Sequence, residues 1–143
     1  MKKVLILAYD FEPHNSIGAQ RPLGWFKYFK EFGLHPVVVT RHWDSITEPN
    51  DLVKASKQQQ VITEETEFGT VVRVPYRPNL RDRILLRYGM DKCVFVRKIL
   101  SLIYAIGQFK TFTLDNRQLL YKEGLKQLND NDFCAIIPTG EPF

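Results

Sequence analysis

The sequence predicts an α/β domain with an open, mainly parallel sheet and helices on both faces, and three segments at its start predict it. Lys3 to Tyr9 is a short apolar run, Gln20 to Phe32 carries apolar residues at helical spacing, and Pro36 to Thr40 is a second, β-branched run. Two fully apolar strands joined through an amphipathic helix form a βαβ unit. Its strands are parallel, and ligands bind such sheets beyond the strands' carboxyl ends.

The first strand is short, apolar on both faces and followed by Asp10 and Glu12, which break the run too early for a secretory leader. Phe11 to Ala19 is a loop punctuated by Pro13, Asn15, Ser16 and Gly18. In the helix, Leu23, Phe26 and Phe29 share one face and Lys27 and Lys30 the other, Pro22 suits the first turn, and Gly33 ends it. Arg41 to Lys57 is polar and reads as a loop with a short helix near Asp51. Gln60 to Thr63 and Thr70 to Val74 are β-favouring runs, read as a hairpin or two short extra strands, and Pro75 and Pro78 then stop regular structure. Asp91 to Gly107 and Leu114 to Leu128 are helical patterns, the first unusually apolar and read as a core helix. Phe133 to Ile137 reads as a final buried strand, left by the loop 138–143. A last strand with no helix after it leaves a βα unit incomplete, so the chain is expected to be the amino-terminal part of something longer.

At 143 residues there is room for one core. With 44% hydrophobic and 25% charged residues, disordered and fibrous classes are excluded. The net charge of +4 is uneven: eight basic residues and two acidic ones between Arg73 and Lys98 give that segment +6 and leave the rest at −2. No nucleic-acid reading motif accompanies the cluster, so nucleic acid is not an expected partner. Beside the apolar run next to it, the basic segment Arg73 to Lys98 suits peripheral contact with an anionic membrane. A core helix flanked by a solvated basic loop is the competing reading. The longest apolar stretch, from Ile99 to Gly107, is about half of what a membrane span needs. Cys93 and Cys134 lack the spacing and histidine company of a metal site, and are expected to be buried thiols in a reducing, cytoplasmic compartment.

Three clusters carry candidate chemistry. Gly18 and Ala19 at a helix start, with Arg21 in its first turn, form a candidate anion site through free N–H groups and a nearby cation. A structural turn is the alternative, because neither a G-x-G-x-x-G nor a G-x-x-x-x-G-K-[ST] pattern is present. His14 and His42 come after the first two strands, at the edge where catalytic groups collect, and are candidate acid–base residues. His35 lies at the opposite edge and reads as structural. Glu141 is a candidate base, with Thr139 and Gly140 as polar contacts, on the loop after the last strand. No metal or cofactor is expected.

The residues Ala8-Tyr9-Asp10-Phe11-Glu12-Pro13, Ser16-Ile17-Gly18-Ala19-Gln20-Arg21 and Trp25 to Thr40 together resemble the opening of GT-B glycosyltransferases, especially the retaining family 4 type. The likeness spans about forty residues, from strand through aromatic and proline loop, glycine turn, arginine and helix to the second strand. It departs from the family at Ile17, where a double glycine is usual, and at Glu12, where a proline is usual. The resemblance implies a Rossmann-like amino-terminal domain on the acceptor side of a cleft, with a second domain holding most of a nucleotide-sugar donor. It implies a hexosyltransferase acting on a glycan or lipid-linked acceptor, in surface polysaccharide or glycolipid biosynthesis at the inner face of a membrane. By position, Gly18 and Ala19 would approach the donor diphosphate, and Arg21 and the His42 loop would border the cleft. The family's carboxylate motif and catalytic histidine have no counterpart here, so this chain alone is expected to be inactive. The alternative is a non-catalytic α/β domain of flavodoxin-like shape that binds or regulates.

Overall fold

A computed structural model describes residues 1–108 and 117–139. The strands are β1 (Lys2–Ala8), β2 (Leu34–Arg41), β3 (Ile62–Glu65), β4 (Thr70–Val74) and β5 (Phe133–Thr139). The helices are α1 (Ile17–Tyr28), α2 (Leu80–Tyr88), α3 (Val94–Gln108) and α4 (Gln118–Asp130), with 3-10 turns at Phe29–Phe32 and Pro49–Val53. One sheet runs in the order β3-β4-β2-β1-β5, in which β4, β2, β1 and β5 are parallel and β3 is antiparallel to β4.

The apolar runs become strands because both sheet faces are covered. Val4, Ile6, Ala8, Val38 and Val71 pack on one face against Phe11 and Phe26, the latter from α1. The two phenylalanine rings meet edge to face at 5.5 Å. Leu5, Val37, Val39, Val72 and Val74 face the other way, against Leu119, Leu120 and Leu128 of α4. The alternation along β1, β2 and β4 is the two-residue period of a strand. Two glycines allow close approach: a Cβ on Gly124 of α4 would lie 3.1 Å from Leu7, and one on Gly69 only 2.3 Å from the Pro36 carbonyl oxygen.

Several boundaries differ from those the sequence predicts, each for a local reason. The first helix starts at Ile17, because Ser16 caps it by accepting the Ala19 N–H on its hydroxyl at 3.1 Å. Gly18 therefore lies inside the first turn. The same helix tightens to 3-10 geometry after Tyr28, and Gly33, at φ +72°, turns the chain into β2. The hairpin is present, with β3 two residues later than expected and Thr66 bridging its turn to Gly69. Helix α2 has no counterpart in the sequence reading, which stops structure at Pro75 and Pro78. Asn79 restarts it, accepting the Asp82 N–H at 2.9 Å.

Three expectations of burial are corrected. Helix α3 is not a core helix: Phe95, Leu102 and Ile106 are 75%, 61% and 57% exposed, so its apolar face meets solvent. Among the described residues β5 is an edge strand, with Cys134, Ala135 and Ile136 exposed, and Pro138 sits where an edge tolerates a missing N–H. Cys93 and Cys134 are both exposed rather than buried thiols. The expected start of the fourth helix, 114–116, lies outside the described residues.

Gly69→Ala should destabilise the fold by about 1–3 kcal/mol, since the added methyl group would force β4 away from the Pro36 carbonyl. Urea denaturation against Gly24→Ala, where nothing lies within 4 Å of the new methyl, measures it.

Candidate functional site

The carboxyl edge of the sheet is organised by the aromatic residues just past each central parallel strand. Tyr9 follows β1, Trp43 follows β2 and Tyr76 follows β4. The Tyr9 carbonyl oxygen accepts hydrogen bonds from Trp43 Nε1 at 3.1 Å and from Thr40 Oγ1 at 3.3 Å. Ser56 joins the exits of β2 and β4, donating from its hydroxyl to the His42 carbonyl at 3.0 Å and accepting the Tyr76 N–H at 2.8 Å.

Inside this frame is Arg41, the last residue of β2, only 6% exposed. Its guanidinium carbon lies 3.6 Å from the Tyr76 ring centroid, 3.9 Å from Trp43 and 5.7 Å from Tyr9. Nη1 donates to the Tyr9 hydroxyl at 2.9 Å, Nε is buried without an acceptor, and Arg41 has no carboxylate partner among the described residues. Aromatic faces attract the cation, but buried charges are ordinarily paired. The Tyr76 hydroxyl donates to the buried Asp82 carboxylate at 2.6 Å. Burial, then that hydrogen bond, raise the Tyr76 hydroxyl well above the ordinary tyrosine value of 10.0. Burial also raises Tyr9, with Arg41 opposing.

Three hollows open at this edge. One of about 470 Å³ takes in Arg41 and is walled by Tyr9, His14, Tyr76, Arg81 and Arg117. Beside it, about 170 Å³ of space lies between β1 and β5, against Asp10, Gly18, Arg117, Leu120 and Thr139. A third, of about 410 Å³, is bounded by Glu12, His42, Trp43, Glu64 and Arg73.

The candidates named from sequence therefore separate. Gly18 and Thr139 come together across the β1–β5 crevice. Ala19 is buried, and its N–H is used by Ser16. Arg21 is exposed and lines none of the three hollows. His14 stacks on Trp43 at 4.2 Å, at the mouth of the large cavity. His42 points away from Arg41, as successive strand residues do, into the third hollow, where Nδ1 is 4.0 Å from Asp44 Oδ1. His35 Nε2 is 2.9 Å from Thr70 Oγ1, a structural contact. Gly140 and Glu141 lie outside the described residues. Among the described residues no group of three or more His, Cys, Asp or Glu could hold a metal ion.

Arg41, Tyr76, Asp82 and Arg117 were not among those candidates. A cation closing an apolar strand and an aromatic between two prolines were the available signals.

No family model, curated protein or solved structure matches the chain.

Because Tyr76 keeps its proton above pH 10.0, where the unfolded chain loses one, stability should fall as pH rises past that value. Tyr76→Phe removes this proton from the balance. Denaturant melts between pH 9 and 11 should show a shallower decline for the variant than for the parent chain.

Proposed function

We propose that the chain is the acceptor-side, amino-terminal domain of a glycosyltransferase of GT-B type. In this reading a sugar passes from a nucleotide donor to a glycan or lipid-linked acceptor. One observation carries it. The parallel strands run β4-β2-β1-β5, so the order reverses between β1 and β5, and Gly18 faces that crevice opposite Thr139. This is the first half of a dinucleotide-binding order and differs from the flavodoxin order, in which the third parallel strand adjoins the first.

The chemistry the crevice suits is departure of a diphosphate. The Ile17 and Gly18 N–H groups, at the start of α1, have no acceptor among the described residues, and Arg117 lines the same space. Donors fixed at a helix start stabilise negative charge that develops on a leaving group without reorganising as it forms. The Asp10 carboxylate occupies the other side, with Oδ2 3.1 Å from where a Gly18 Cβ would stand. A diphosphate would therefore enter from the Arg117 and Thr139 side. The remaining contacts to the donor belong, on this reading, to a second domain outside these residues.

A second observation bears on location. Among the described residues no helix is long and apolar enough to cross a membrane. Helix α3, with its apolar face exposed, packs against α2, and Arg81, Arg83 and Arg87 of α2, Lys98 of α3 and Arg77 just before α2 are exposed. In our reading this surface rests on the anionic, cytoplasmic leaflet, where a lipid-linked acceptor would be presented. Arg73 is not part of it, being held by Glu64 and by the Glu12 carbonyl.

Titration with uridine and guanosine diphosphates, followed by amide resonances, should shift Gly18 and Thr139, and Gly18→Val should abolish the shift. No response to either nucleotide would overturn the donor role. In flotation with anionic and neutral vesicles the chain should rise only with the anionic ones, and Phe95→Ser/Leu102→Ser should stay behind. Failure with both vesicles would remove the membrane reading and leave the crevice untouched.

A further inference from the structure

We propose that the large cavity at the carboxyl edge is an oxyanion site, in which Arg41 grips the carboxylate or phosphate of a monosaccharide-sized ligand. The inference does not draw on the transferase reading; on that reading, the anion would be carried by the acceptor.

Arg41 is more than nine-tenths buried, lines the cavity, and has no carboxylate partner among the described residues. A guanidinium has five N–H donors; the Tyr9 hydroxyl takes one from Nη1, the Nε donor is buried, and the rest of the Nη1–Nη2 end remains. The aromatic rings of Trp43 and Tyr76 fix the plane of the guanidinium and supply no hydrogen-bond acceptor to its N–H groups. What is left is a pre-oriented planar fork, the geometry that recognises carboxylate and phosphate in two-point fashion.

The surroundings agree in sign. Arg81 lines the same cavity, also without a carboxylate partner among the described residues, and the amino end of α2 opens on it through Asn79 and Arg81. The partial positive charge of a helix start adds to the two cations. Of the two carboxylates in the lining, Asp82 is bonded to Tyr76, and Asp10 stands against Gly18. A volume of about 470 Å³ falls in the range of small-molecule sites, and the stacked His14 and Trp43 give one flat wall. The hydroxyl-bearing residues Ser101 and Tyr104 line it as well. A flat wall, hydroxyls and a cation suit a sugar ring with one acidic substituent.

The test is titration of the chain with D-glucuronate, glucose 1-phosphate and glucose, followed at the Trp43 indole N–H resonance. One or both anions should give a saturable shift, and glucose should bind at least tenfold more weakly. The stronger of the two anions identifies the source as a uronate or a sugar phosphate. Arg41→Lys keeps the charge and loses the fork, so it should weaken binding about tenfold. Arg81→Gln, on an exposed residue, should weaken it several-fold with an unchanged melting temperature. This second variant keeps the test decisive if Arg41 variants fail to fold. Raising the salt concentration should weaken binding further. Glucose binding as well as the anions, no Trp43 response to either anion, or an Arg81→Gln chain with unaltered affinity would each overturn the proposal. Uridine diphosphate in the same series separates the two readings. If it leaves Gly18 unmoved while glucuronate or glucose 1-phosphate still binds, only the donor role is lost.

Discussion

A buried guanidinium with no carboxylate partner among the described residues sits at the carboxyl edge of the sheet, and the edge is built around it. Removing such a charge from water costs several kcal/mol even after relaxation. Stacking on an aromatic face returns about 0.5–2 kcal/mol, and a hydrogen bond from a charged donor about 1.5–3 kcal/mol. Arg41 collects these terms from the exits of three adjacent strands, Tyr9 after β1, Trp43 after β2 and Tyr76 after β4. The cage exists only if those strands are parallel neighbours in this register, so that their exits fall at one edge. The ties of Trp43 and Thr40 to the Tyr9 carbonyl, and of Ser56 to His42 and Tyr76, hold the exits in place.

The strands of the sheet's centre are legible in the sequence because each is covered on both faces. Val4 to Ala8 and Val37 to Thr40 need no partner to be named before they read as buried, whereas Thr70 to Val74 reads only as a β-favouring run and is nearly as buried. Apolarity alone, however, does not say what covers a segment. The run 94–106 reads as core and is an exposed helix face, and Ile136 reads as core and is 49% exposed at a sheet edge. Boundaries failed where a side chain competes for the backbone. Ser16 moved the start of α1 ahead of Gly18, and Asn79 began a helix just after a proline that suggested none.

The candidate site divides along similar lines. Gly18 and Thr139 are legible because strand exits converge by topology, whatever the side chains. Arg21 and His42 obey the same sequence logic and are placed elsewhere. Arg21 lies on an exposed part of α1, and His42 is one residue beyond Arg41, so the strand's alternation sends it to the opposite side. The cage was hidden for another reason. Its three aromatic members are separated from one another by whole connections between strands and form no local motif, and Arg41 itself reads as the start of a polar loop rather than the end of a strand.

The two cavities on either side of the β1 exit are not independent. Tyr9, Asp10 and Arg117 line both, and the segment from Tyr9 to Gly18 is the wall between them. Tyr9 is fixed through its carbonyl and its hydroxyl, the latter by the very guanidinium that faces the larger cavity. A ligand that draws Arg41 toward itself therefore pulls on the hydroxyl of a residue whose next neighbour, Asp10, packs against Gly18. Charge is shared through the same wall: on the two proposals, anions in the two cavities would both face Arg117 and Asp10. With both proposed sites filled, the exit of β1 is the element that the two occupants would share.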